Sequence, residues 1–323
     1  MKTMNQHSVT AANRRPAPRA LTPKCTSFFT FMEAQIASLQ SRQRYKTASG
    51  YACALRSFRL FRDGRDLLPA ELTHVQAAAY ESWLRQRGVS LNSTSFYMRI
   101  LRAVYNRTVA CGLTPQRYPF REVYTGICRT RKRAADHRTI ARLRQLDLLD
   151  TPSLALARDL FLFSFYTRGM SFIDVAFLRK EALHDGIITY RRHKTGQILS
   201  VRCEAHILHI LERYAPQVAH SPYLLPVLGE CDRPHTLMKR YDKQLRLYNR
   251  SLSILSARLA LPHPLTSYTA RHTWATVAKQ LQIPISVISE GMGHTSELTT
   301  RIYLDSFEQS VLDDANRLII SRC

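Results

Sequence analysis

Residue types that handle phosphate esters gather in the last third of this chain. The stretch LTSYTARHTWATVAKQLQIPISVISEGMGHTSELTTRIYL, Leu265 to Leu304, holds Arg271 beside His272, then His294 after a glycine pair, then Tyr303 nine residues beyond His294. Lys194 stands earlier, in the run GIITYRRHKTGQILSV. Attack on a phosphodiester needs a nucleophile, cations that neutralise the phosphoryl oxygens, and an acid for the departing oxygen. A tyrosine hydroxyl, an arginine fork and a lysine ammonium can supply these in turn. Taken singly, each has an ordinary alternative. Tyr303 is one of 15 tyrosines, a lone histidine more often packs or faces solvent, and Lys194 could be a plain turn residue. His272 is expected to point away from Arg271 on its helix and to serve structure.

Composition sets the class of partner. The 323 residues suggest two domains. With 45% hydrophobic and 22% charged residues the chain reads as folded and globular. The formal charge of +23 is too large for a routine solvated surface and points to a polyanion. No run approaches the ~18 apolar residues of a membrane span, and even Leu160 to Tyr166 is bounded by Asp159 and Arg168. The amino terminus lacks the continuous apolar segment of a secretory signal, so the expected location is the cytoplasm. Seven scattered cysteines without a CxxC pair indicate neither a disulfide framework nor a zinc site.

The elements that must position the reactive residues follow from periodicity. Residues 1–25 have no apolar period and read as a basic arm. Over 26–112, helical spacing recurs in four blocks, Phe28 to Leu39, Tyr45 to Phe61, Leu72 to Gln86 and Ser93 to Ala110, punctuated by Gly64, Gly88 and Gly112. Residues 113–135 carry Pro115, Pro119 and the run Arg129, Thr130, Arg131, Lys132, Arg133, and read as a basic interdomain linker able to follow a phosphate backbone. From 136 to 323 the pattern predicts helices around one β-hairpin, Ile187 to Tyr190 and Ile198 to Val201, with its turn at Lys194 to Gln197.

With these residues in view, the chain resembles the tyrosine recombinase (phage integrase) family, whose pattern is His-x-x-Arg-His, a helix, Leu-Gly-His, and a tyrosine nine residues after that histidine. Arg271-His272, Gly293-His294 and Tyr303 match it. Lys194, the helix after Ser171 and the domain order extend the resemblance over nearly everything past residue 25. The fold implied is mainly α, an N-terminal helical core-binding (SAM-like) domain followed by a mixed α+β catalytic domain with a small antiparallel sheet. The implied activity is cleavage and rejoining of double-stranded DNA. Tyr303 attacks phosphorus to form a 3′-phosphotyrosine, Arg271 and His294 hold the non-bridging oxygens, and Lys194 protonates the leaving oxygen. Neither a metal nor ATP is implied. An apolar stripe after the nucleophile, Phe307, Val311, Leu312, Ala315, Leu318 and Ile319, suggests a tail that docks on a neighbour in a homotetramer, the alternative being a helix that closes its own domain. Accessory DNA-bending proteins and a place at the bacterial nucleoid are further expectations of the resemblance.

Two departures from the family pattern stand out. Tyr268 occupies the place of the first histidine; a phenol can hydrogen-bond a phosphate but is a poor base near neutral pH, with an unperturbed pKa of about 10. Ser171 occupies the place of the usual first arginine, with Asp174 on the acidic position. A substitute cation is expected, either Arg192, which strand alternation would put on the same face as Lys194, or Arg168 in the break at Thr167 to Gly169. The version TRGMSFID resembles integrases and invertases of Bacteroidetes mobile elements. The short arm favours a recombinase or invertase that needs no arm sites. Rival readings are a type IB topoisomerase-like nicking-closing enzyme and a catalytically silent DNA-binding regulator.

Overall fold

The computed structural model describes residues 27–128, 134–229, 234–294 and 296–303, together with Arg317 and Ile320. The expected basic arm, the run Arg129 to Arg133 and the tail stripe Phe307 to Ile319 lie outside the described residues. The chain divides into two compact units, residues 1–129 and 130–323. No helix among the described residues is long and apolar enough to cross a membrane.

The first unit is built from α1 (Phe28–Ser41), α2 (Tyr45–Phe61), α3 (His74–Gln86) and α4 (Leu91–Ala110), close to the four predicted blocks. Ser27, Thr73 and Ser90 cap α1, α3 and α4, each side-chain oxygen accepting a backbone N–H of the first turn. The apolar faces meet on Phe28, Phe58, Tyr80, Met98 and Leu101, all fully or almost fully buried. Phe58 and Tyr80 pack edge to face with centroids 5.0 Å apart. Residues 113–128, expected in the linker, pack on this core through buried Phe120 and Val123, and the Tyr105 hydroxyl donates to the Pro115 carbonyl. Their apolar residues have no period, which is why they read as loop, yet they close the unit.

The second unit is organised around α6 (Pro152–Tyr166), in which every residue from Ala157 to Ser164 is buried. A helix apolar on all sides belongs inside a domain. A buried charge pair on this helix is fully engaged: Arg158 Nε lies 2.8 Å from Asp159 Oδ1, while Arg213 and the Tyr214 hydroxyl donate to Oδ2. Around α6 stand α5 (His137–Gln145), α7 (Phe172–Ala176), α8 (Ala205–Tyr214), α9 (Pro234–Arg258) and α10 (Thr269–Gln280). Two short helices follow, α11 (Ile285–Gly291) and α12 (Glu297–Tyr303). The predicted hairpin is β2 (Ile187–Arg191) and β3 (Ile198–Arg202), antiparallel with Thr189 opposite Ser200. A two-residue strand, β1 (Leu183–His184), too short to show a period, makes the sheet three-stranded in the order β1-β2-β3. The fold is thus mainly helical with a small antiparallel sheet, as expected.

Candidate active site

Arg271 sits in the first turn of α10 and is 2% exposed. Its burial depends on Gly169 in the break between α6 and α7, where φ is +72° and a Cβ would come within 2.8 Å of the Arg271 Cα. Only glycine admits both that backbone and that approach. The guanidinium is held at both ends: Nη1 donates to the Gly169 carbonyl at 2.7 Å and Nη2 to the Met292 carbonyl at 2.6 Å. Nη2 also lies 3.0 Å from His294 Nε2. Arginine can only donate, so Nε2 is the accepting nitrogen and the proton of the neutral ring sits on Nδ1. From there it reaches the Thr300 Oγ1 at 2.8 Å. Half-burial, followed by the charges of Arg271, Arg192 and Lys194, pushes the His294 pKa down to about 4. The ring is therefore neutral at pH 7.

Arg192 is the second buried guanidinium, 5% exposed. Its Nη1 donates to the Gly293 carbonyl, the peptide next to the one that Arg271 holds. Gly293 has φ +63°, and a Cβ there would lie 2.8 Å from both the Arg192 Cδ and the Leu199 Cδ1. Arg192 Nε is buried without a partner among the described residues. The expectation that Arg192 and Lys194 share a strand face is corrected: β2 ends at Arg191, the chain turns at residues 193–195, and Arg192 is buried while Lys194 is exposed. Alternation holds only while a strand continues. Lys194 nonetheless lies near enough for its charge to act on His294.

Arg168 is exposed, has φ 59°, and carries its Cδ to 3.6 Å from where a Gly291 Cβ would stand. It does not pair with Asp174, whose oxygens are taken by Ser171 and His193. The charges of Arg271, Arg192 and Arg168 all reach the Tyr190 hydroxyl, although burial and Asp174 together keep its pKa above the usual value. Tyr268 stands at the start of α10, 54% exposed, its carbonyl accepting from the His272 N–H. Tyr303 is the last residue of α12, three positions after fully buried Thr300.

The structure thus gathers Arg271, Arg192 and His294 around the peptides of Met292 and Gly293, with Lys194 close by. Sequence reasoning missed Thr300 and Gly169. Gly169 reads only as part of the break at Thr167 to Gly169, and a buried threonine in a short helix looks like any other.

The chain thus has a helical unit followed by an α+β unit whose buried arginines converge on a Gly-His segment. Residues 27–123 match the phage integrase SAM-like domain. The fold is similar to that of a lambda integrase dimer bound to a core site, with TM-score 0.61 and 14% identity over 88% of this chain and 81% of that one. It is similar to a lambda integrase tetramer bound to a Holliday junction, with TM-score 0.63 and 14% identity over 87% and 78%. The Tn1549 transposon integrase in complex with transposon right end DNA gives TM-score 0.64 and 13% identity over 91% of this chain and 100% of that one. No curated protein matches. Domain and fold together bear out the architecture that the resemblance implied, a phage integrase SAM-like domain in a chain with an integrase-like fold.

Proposed function

We propose that this chain is a site-specific tyrosine recombinase that cleaves and rejoins duplex DNA. The observation that carries the reading is the pair of buried guanidiniums, Arg271 and Arg192, fixed on the consecutive carbonyls of Met292 and Gly293 beside a neutral His294. Two buried guanidiniums side by side, with Arg192 Nε unpartnered among the described residues, suit an anion, and on a chain of charge +23 a DNA phosphate is the natural one.

In this mechanism the Tyr303 hydroxyl gives up its proton to water as its oxygen attacks phosphorus, and the bond to the 5′ oxygen breaks as that oxygen takes a proton from the Lys194 ammonium. Arg271 and Arg192 stabilise the charge that builds on the non-bridging oxygens, and His294 holds the Arg271 guanidinium in place by accepting from its Nη2. Arg192 fills the place left by Ser171, with Arg168 the second candidate and Tyr268 a hydrogen-bond donor at the rim. The resulting 3′-phosphotyrosine keeps the ester's bond energy. A 5′-hydroxyl from a second strand then displaces Tyr303 without ATP.

The solved relatives bound to DNA as dimers and tetramers support a double-stranded DNA partner and an assembly of several copies. A homotetramer joined through the tail after Tyr303, acting in the bacterial cytoplasm with or without DNA-bending proteins, fits that reading. The test is a duplex nicked near the cleavage site. Wild-type protein is expected to remain covalently attached on a denaturing gel, and Tyr303→Phe to bind the same DNA without attaching. Adduct formation by the Phe variant would remove Tyr303 from its role. Exchange of strands between two duplexes separates a recombinase from an enzyme that only nicks and closes.

A further inference from the structure

We propose that Asp174, braced by Ser171, is the positioning residue that holds Lys194 in place to protonate the leaving oxygen. The inference rests on the reading of Lys194 as that acid. The Lys194 turn closes on itself through Arg192 N–H to the Gln197 carbonyl and Gly196 N–H to the Arg192 carbonyl, both at 2.8 Å. Those bonds shape the turn without fixing its direction. Direction comes from the residue next to Lys194. The His193 N–H donates to Asp174 Oδ1 at 2.8 Å, and the His193 Nδ1 lies 3.4 Å from the same oxygen. The imidazole also packs against Phe177, with ring centroids 4.8 Å apart.

Asp174 is suited to be the fixed end of this link. It is 3% exposed on α7, and its Oδ2 accepts from the Ser171 hydroxyl at 2.5 Å. Burial works against its charge, but the hydrogen bonds from His193 and Ser171 outweigh burial and hold the carboxyl below the usual range. The residue standing where an arginine would face the phosphate thus turns its hydroxyl to the acid. Ser171 and Asp174 serve the leaving-group side of the reaction, while Arg192 serves the phosphoryl side.

A general acid matters only when the departing group needs a proton. Replacing the bridging 5′ oxygen by sulfur removes that need, because a thiol ionises near pH 8.5 and leaves as the thiolate. Cleavage rates are to be measured on nicked duplexes with bridging oxygen and with bridging sulfur. Lys194→Ala is expected to slow the oxygen substrate by about 10²–10⁴-fold and to cleave the sulfur substrate at close to the wild-type rate. Asp174→Asn is expected to show the same pattern at smaller amplitude, up to about 10²-fold on oxygen, the low end of that range. Ser171→Ala, a milder change that leaves His193 on Asp174, should slow the oxygen substrate selectively but less, and it decides the matter if Asp174→Asn does not fold. If Asp174→Asn and Ser171→Ala lose rate equally on both substrates, or lose none, while sulfur rescues Lys194→Ala, the positioning role is overturned and the acid stands. Failure of sulfur to rescue Lys194→Ala removes the acid itself, and the inference with it.

Discussion

His294 carries its proton on Nδ1 because Arg271 claims the other nitrogen, and the surrounding cations make a second proton costly. Its pKa of about 4 in the folded chain lies below the 6.5 of a free imidazole. Between those values the unfolded chain binds a proton that the folded chain does not. The stability His294 contributes is therefore complete above pH 6.5 and is lost as pH falls through about 4. Urea midpoints between pH 4 and 7 should fall more steeply with acid in the wild type than in His294→Gln, and a ring resonance titrating near pH 6.5 in the folded protein would contradict the burial argument. Arg192 is the other residue whose surroundings dictate a result. Removing one preorganised donor to a transition-state oxygen costs about 10²–10³-fold in rate. Arg192→Ala should lose that much in nicked-substrate cleavage while still binding DNA, and Arg168→Ala considerably less. The opposite order would transfer the role to Arg168.

At the scale of elements, the site is a junction between helix ends. The α6–α7 break supplies Gly169 to Arg271, the segment between α11 and α12 supplies the Met292 and Gly293 carbonyls, and Thr300 ties α12 to His294. Gly169→Ala would force a Cβ to 2.8 Å from the Arg271 backbone at a left-handed φ. The left-handed conformation alone costs roughly 1–2 kcal/mol, so thermal unfolding should shift down and cleavage should be lost together. Thr300→Val keeps the shape and removes the hydroxyl that receives the His294 proton. It should lower the cleavage rate while the melting temperature moves little, and Thr300→Ser should recover most of the rate. Recovery by valine itself would show that Thr300 only fills space.

The whole molecule carries two units with separate cores, joined at residues whose charge is the clearest feature of the segment. If Arg129, Arg131, Lys132 and Arg133 meet phosphates, each lost contact lowers the slope of log K against log salt by about 0.9. Neutralising these side chains together and measuring binding from low to moderate salt should flatten the slope by several such steps. An unchanged slope would make the run a solvated face.

Much of this protein is legible in one dimension. The four helices of the first unit and the β2–β3 hairpin follow from apolar period, because each such element needs only neighbours two to four residues away. Arg271, His294, Lys194 and Tyr303 stand out as a candidate set through spacing and resemblance, and the structure brings Arg271 and His294 into contact. Contacts made across long separations are not. Arg271 bonds to Gly169 across 102 residues and Arg192 to Gly293 across 101, and no local pattern encodes either partner. For the same reason Phe120 and Val123 read as linker although they fill a core. Strand alternation put Arg192 beside Lys194, but the strand stops at Arg191, and only the packed structure buries one and exposes the other. Residue types and local period determined which chemistry this chain can attempt; tertiary packing, which desolvates some of those groups and leaves others in water, decided which of them face one another.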